Sequence, residues 1–279
     1  MRTVVGFVLA VCGCGALPQH EVLCSQTDRC ESGSSGNGAS FVLGQANDQT
    51  NYWATGLNNP YAVALTSDQK LIVADRGHDR ILIWNTIPTQ SGAKPDVVLG
   101  QASLFVGPRA NQPFNRTTDT PVVSRLAVSG TQLVANVESN NQLVFWNGIP
   151  TSNNAAYAFA FDGGTGVSAS TFDRAAPLLA GGRMYASDRG NSRVLIWSSV
   201  PTASGANAGG QVGQLNFNVG MANAGGLSQS SLNQPEGSPG SDGTKLAVPD
   251  TQNHRVMVWN ALPTMKNDAP DIALGQGSF

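Results

Sequence analysis

The chain predicts an all-β fold, a β-propeller of four-stranded antiparallel blades with four repeats present. Three observations predict it. One stretch of sequence recurs four times, as LIVADRGHDRILIWNTIPT (71–89), LVANVESNNQLVFWNGIPT (133–151), MYASDRGNSRVLIWSSVPT (184–202) and LAVPDTQNHRVMVWNALPT (246–264). Trp84, Trp146, Trp197 and Trp259 mark one position, 62, 51 and 62 residues apart, and Pro88, Pro150, Pro201 and Pro263 follow four residues later, each before a Thr. Periodicity on this scale is the mark of a modular array. The apolar runs within each unit are short and β-branched or aromatic, with Gly, Asn, Asp, Ser and Pro between them, which is strand-and-turn patterning. No stretch after residue 40 keeps a helical period. A lone four-stranded unit cannot bury both faces, whereas radial neighbours cover each other.

Taken in order, residues 1–14 read as an export signal. One positive residue precedes an apolar run from Val4 to Val11 and then small residues. That run is too short for a permanent membrane span and fits a cleaved leader. VCGC (11–14) approximates a lipobox with Gly13 ahead of Cys14, so lipidation at Cys14 and ordinary cleavage a few residues later both stay open. Residues 15–40 form a stalk or linker: Cys24 and Cys30 are expected to pair as a disulfide in the oxidising compartment that export implies, and ESGSSGNGAS (31–40) is a flexible spacer. Localisation is therefore expected to be the cell envelope as a lipoprotein, or secreted, with a membrane reached only through the lipid.

Residues 41–279 carry the propeller repeats. The expected inner strands are 60–65, 122–128, 172–179 and 235–240. The outer strands are the VLGQ-type segments at 41–45, 97–101, 157–161, 211–214 and 272–276. Five outer strands for four inner sets leave a strand edge or a blade face over. The expectation is an open arc or partial propeller rather than a closed four-bladed ring, with 41–45 either lacking its inner strands or competing with 272–276 for the fourth blade. Leftover edges and apolar faces invite self-association.

Counting back from each Trp, an Asp stands nine positions before and an Arg four before: Asp75 with Arg80, Asp188 with Arg193, Asp250 with Arg255. The second copy has Val137 and Gln142, so acid and base are lost together. That is the pattern of a structural ion pair between adjacent strands, because one orphaned buried charge costs about 3–5 kcal/mol. The tryptophans likewise read as core, recurring in every unit as a ligand platform need not.

The segments DRGHDRILIW (75–84), DRGNSRVLIW (188–197) and DTQNHRVMVW (250–259), with the adjoining VLGQ and WN, resemble the NHL-repeat propeller family, whose blades carry Asp–Asn–Arg before an apolar strand; the likeness is to bacterial exported members and covers roughly 41–279. The family usually has more repeats, often six. The resemblance implies that the residue after the inner-strand Pro sits near the channel mouth. Those residues are Tyr61 and Glu236, with Arg174 as a looser counterpart; the three are the ligand-face candidates.

Composition narrows the function. Only 12% of residues are charged, against about a quarter in ordinary globular proteins. Net charge is −2 and there is no basic run, which argues against nucleic acid as a partner. His20, His78 and His254 are the only histidines, and the last two read as turn residues at blade corners. Asp173 and Glu236 on the inner strands are accompanied by Arg125 and Arg174, a poor cation site. No catalytic residue, metal or cofactor is expected. The expected role is a non-catalytic binding or scaffold propeller for a protein or small envelope ligand; the alternative is a propeller hydrolase or lyase of the gluconolactonase or amidating-lyase type. A channel gathering three or more acid, Asn or His side chains would separate the two.

Overall fold

A computed structural model describes residues 43–44, 56–104, 123–264 and 268–276. The leader with Cys14, the 15–40 segment and the Cys24–Cys30 pair lie outside the described residues. No helix among the described residues is long and apolar enough to cross a membrane.

Four antiparallel four-stranded sheets follow one another in sequence. The first blade holds β1 (Pro60–Leu65), β2 (Leu71–Asp75), β3 (Arg80–Trp84) and β4 (Val97–Leu99). The second holds β5 (Val123–Ser129), β6 (Gln132–Val137), β7 (Gln142–Trp146) and β8 (Phe159–Asp162). The third holds β9 (Ala175–Ala180), β10 (Arg183–Asp188), β11 (Arg193–Trp197) and β12 (Gly210–Val212). The fourth holds β13 (Gly240–Ser241), β14 (Leu246–Asp250), β15 (Arg255–Trp259) and β16 (Ile272–Leu274).

The sequence places four of the five expected outer strands to within about two residues and misplaces two inner ones; of the fifth, 41–45, all but residues 43–44 lies outside the described residues. Residues 235–239 stay out of the fourth sheet, whose inner strand is only Gly240–Ser241. Pro235 and Pro239 have no N–H for the ladder, and Gly237 takes φ +90°. In the third blade the strand begins at Ala175, because Arg174 turns the chain at φ +57°.

Side chains alternate faces along each strand, and this alternation stacks the blades. Ile72, Ile81, Ile83 and Leu99 of the first blade pack on Leu133, Val144 and Trp146 of the second. Val134, Leu143, Phe145 and Phe161 pack on Met184, Leu195 and Trp197 of the third. Tyr185, Val194, Ile196 and Val212 pack on Leu246, Met257 and Trp259 of the fourth. Trp146, Trp197 and Trp259 thus face the preceding blade and Trp84 packs with Leu43, Leu57 and Leu104, each Trp 3–4% exposed. Its indole N–H donates to a carbonyl nine residues on, at Ala93, Ala155, Ala206 and Asp268 (3.0, 3.2, 2.9 and 2.8 Å), which ties down the loop before the outer strand.

The arc is open. No apolar cluster joins the first and fourth blades among the described residues. The forward face of the fourth blade, with Val256 and Val258 half-buried, leaves Ile272 41% and Leu274 55% exposed. The rear face of the first blade is covered: Leu71, Val73, Leu82 and Trp84 pack with Leu43, Leu57 and Leu104. Leu57 N–H donates to Gly44 O (3.1 Å), as Leu232 N–H donates to Gly213 O (3.3 Å). Both glycines have positive φ, +85° and +95°, and a Cβ on either would collide with its leucine. Gly44 therefore stands against the first blade as Gly213, at the end of β12, stands against the fourth. The edge of the fourth sheet is held by β16, paired with β15 through Val256, Met257 and Val258.

Candidate functional site

Every blade turns between its second and third strands through one corner. A 3-10 turn is closed by a left-handed residue, Asp79, Asn141, Ser192 or His254, at φ 51–55°. In three blades the residues flanking that corner form a buried ion pair. Arg80 Nε, Arg193 Nε and Arg255 Nε each lie 2.8 Å from Oδ2 of Asp75, Asp188 and Asp250, with all six side chains fully buried.

The pair also fastens the segment that enters its own blade. Asp75, Asp188 and Asp250 accept the backbone N–H of Asn58, Asp173 and Asn233 (2.7, 2.8 and 2.7 Å). Arg193 Nη2 donates to Ser168 O and Thr171 O, and Arg255 Nη2 to Ser228 O and Ser231 O. The third corner residue joins in: Asn191 and Asn253 donate to the same carboxylates, and His78 Nδ1 lies 2.8 Å from Asp75 Oδ2. Burial pushes the Asp188 carboxyl above the usual Asp value, opposed by the Arg193 charge and by hydrogen bonds. These carboxylates are spent inside the blades and face no ligand.

The residue directly after the paired Asp lies on the open side of each corner. In order these are Arg76, Glu138, Arg189 and Thr251. Arg76 Nη2 lies 3.5 Å from Glu138 Oε2, linking the first two blades. Arg189 Nε lies 3.5 Å from Glu236 Oε2, linking the third and fourth. Glu236 N–H donates to Thr251 Oγ1 (3.1 Å).

Within this ring is a cleft that encloses about 360 Å³ including the solvent open to it, and Tyr61, Arg125, Glu138, Arg174, Arg189 and Glu236 are among its walls. All three ligand-face candidates stand on it, though for different reasons. Tyr61 is the extra residue of a bulge between Pro60 and Ala62, and the second blade repeats the bulge at Ser124 between Val123 and Arg125. A bulge re-aims a side chain. Glu236 follows Pro235 but precedes the short β13. The third blade has no bulge and no counterpart of Tyr61. Arg174 precedes its strand, at the left-handed position also taken by Asn59 and Gln234 (φ +57°, +50° and +47°). Its N–H donates to Asn141 Oδ1 (2.8 Å) and its Nη2 lies 3.5 Å from Asp173 Oδ2.

Arg125 makes several contacts at the wall of the cleft. Its guanidinium lies over the Tyr61 ring, 4.3 Å from the centroid, while Arg76 approaches the same ring at 5.1 Å. Arg125 Nη1 donates to Ser124 O (3.2 Å) and Nη2 to Tyr61 Oη (3.4 Å). Beneath it Ser124 Oγ donates to Asn136 Oδ1 (2.7 Å).

Arg76, Glu138 and Arg189 are not among the sequence-predicted site residues. The signal was present: within a corner whose flanks repeat, the position after the Asp changes charge from blade to blade. Asn136, Glu138 and Glu236 do supply three acid or Asn side chains to the cleft. Each Glu, however, faces an arginine, and among the described residues no group of three or more His, Cys, Asp and Glu side chains could hold a metal ion.

No protein-family model matches the chain, and no curated protein matches it. Solved structures do. Myxococcus xanthus glutaminyl cyclase is 12% identical with a TM-score of 0.40, over 73% of this chain and 70% of that one. BamB from Moraxella catarrhalis is 13% identical with a TM-score of 0.39, over 83% and 52%. Virginiamycin B lyase from Staphylococcus aureus is 13% identical with a TM-score of 0.40, over 72% and 52%. The chain spans about half the length of the latter two.

Proposed function

We propose that this chain is a non-catalytic binding or scaffold propeller of the NHL-repeat class, exported to the cell envelope, that holds a protein or a small envelope ligand in the cleft ringed by Tyr61, Arg174 and Glu236. One observation carries the reading: side chains from all four blades meet around one open cleft, with Arg125 over the Tyr61 ring at its wall and the acids Glu138 and Glu236 paired with arginines. The leader supports export, and Cys14 supports a lipid tether. Mass spectrometry of exported protein should find lipid on Cys14 and a Cys24–Cys30 disulfide; a mature N-terminus at another residue excludes the lipid, and two free thiols exclude the bridge.

The binding role is tested by capture from envelope extract with the leaderless protein. Tyr61→Ala, Arg174→Ala and Glu236→Ala should each reduce what is retained while leaving the melting temperature unchanged. Retention indifferent to all three would refute the cleft as the binding face. The hydrolase or lyase alternative draws on Asn136, Glu138 and Glu236 lining one cleft. It requires saturable calcium or zinc binding that Glu138→Gln abolishes, measured by calorimetry.

A further inference from the structure

We infer that the ligand of this cleft presents a single carboxylate, taken by Arg125 on the Tyr61 ring. This rests on the binding role proposed above and adds the chemistry of what is bound.

Register makes Arg125 an exception. It pairs with Asn136, and at the same register the first and third blades carry Ala62 opposite Ala74 and Ala176 opposite Ser187. Two alanines show that packing at the inner strands does not call for a long cation there. The other arginines lining the cleft have counter-ions, Arg174 with Asp173 and Arg189 with Glu236, as does the neighbouring Arg76 with Glu138, each at 3.5 Å. Among the described residues Arg125 has no such ion pair. Two of its five N–H donors are used, by Ser124 O and Tyr61 Oη. Stacking on Tyr61 fixes the plane of the guanidinium, and so which edge it offers.

Charge and shape then select the anion. Arg125, Arg174 and Arg189 against Glu138 and Glu236 leave the lining one positive charge in excess. A doubly charged phosphate would meet both glutamates, and like charges a few ångströms apart repel. A carboxylate brings one charge, and its two oxygens match a planar guanidinium bidentately.

The carboxylate has two possible sources, a peptide C-terminus or a free small acid. The test uses N-acetyl-pentaalanine, its C-terminal amide, hexanoate and inorganic phosphate, titrated into the leaderless protein while the Arg125 Nε–Hε and Tyr61 ring NMR signals are followed. At least one acid should shift both signals saturably, and the amide should bind about tenfold or more weaker, the loss expected of a charged hydrogen bond. A shift with hexanoate alone identifies a free acid; a shift with the peptide acid alone identifies a C-terminus. Arg125→Gln should abolish the shift at Tyr61, and Arg125→Lys should restore part of it. Equal binding of acid and amide, tighter binding of phosphate, or affinity unchanged in Arg125→Gln would overturn the inference. The acid–amide contrast needs no variant and stands even if Arg125→Gln misfolds. No response to either acid, with capture still lost in Tyr61→Ala, sinks the carboxylate and leaves the binding role intact; capture indifferent to the cleft variants sinks the binding role itself.

Discussion

The second and third blades have the same strand order and the same corner, yet one lacks the ion pair the other is built around. Val137 pairs with Gln142 in the second and Asp188 with Arg193 in the third, in identical register. The left-handed residue takes φ 51° in one and 53° in the other. The corner is thus shaped by its backbone, not by the ion pair. What the pair adds is anchorage. Asp188 and Arg193 hold Asp173, Ser168 and Thr171, the segment entering the third blade. Gln142 bonds to Asp162 and Asn140, and the segment entering the second blade before Val123 lies outside the described residues. The second blade carries aromatic contacts on its forward face, where Phe145 stacks on Phe159 at 4.5 Å and meets Phe161 at a tilt at 4.9 Å.

The largest break applies to both blades alike. Trp197→Ala should cost about 3–5 kcal/mol through cavity formation, as should Trp146→Ala, since both side chains are buried against the preceding blade. Denaturant melts would read this, and an unchanged midpoint refutes the core assignment.

Next comes a change that should separate the blades. Asp188→Val leaves Arg193 buried and uncompensated, at a cost of about 3–5 kcal/mol. Adding Arg193→Gln, which copies the second blade, should recover part of that loss. Strictly additive effects in a double-mutant cycle would sink the coupling.

The reverse graft should do little. Val137→Asp with Gln142→Arg rebuilds the pair in the second blade, and a buried pair often only balances its desolvation. A stability change within about 1 kcal/mol is expected, whereas Val137→Asp alone should be clearly destabilising.

The smallest effect distinguishes the inner hairpins. Those of the second and third blades close through Gly130 and Gly181–Gly182, and the fourth combines Gly243 with Asp242. Hydrogen bonds from Lys245 N–H, Thr244 N–H and the Thr244 hydroxyl hold the Asp242 carboxyl down at about 2, from 3.8. A depressed carboxylate contributes its stabilisation fully above the unfolded value, and that is lost as pH falls from about 4 through 2. Carbon-detected NMR should place its midpoint near 2; a midpoint near 4 would show that the turn does not form.

Much of this was legible in the chain. Trp84, Trp146, Trp197 and Trp259 marked the blades because a side chain buried between neighbours must recur in every unit. The joint loss of Asp and Arg in the second copy pointed to their pairing, because an orphaned buried charge is costly. The inner strands were harder. Pro235 and Gly237 sit where a strand was expected, and Arg174 turns the chain a residue before its strand starts.

By itself the sequence determined the blade, its corner and its core, since these depend on contacts within one repeat and on faces that repeat with it. The tertiary structure alone decided the cleft. Arg76, Glu138, Arg189 and Glu236 come from four separate blades and become neighbours only when stacking brings the corners around one axis. It also decided how the ends differ: Leu43 and Leu57 cover the first blade, while Ile272 and Leu274 leave the fourth open. One repeat pattern is compatible with either outcome. Which face is covered depends on what packs against it, and that is a long-range property no local spacing records.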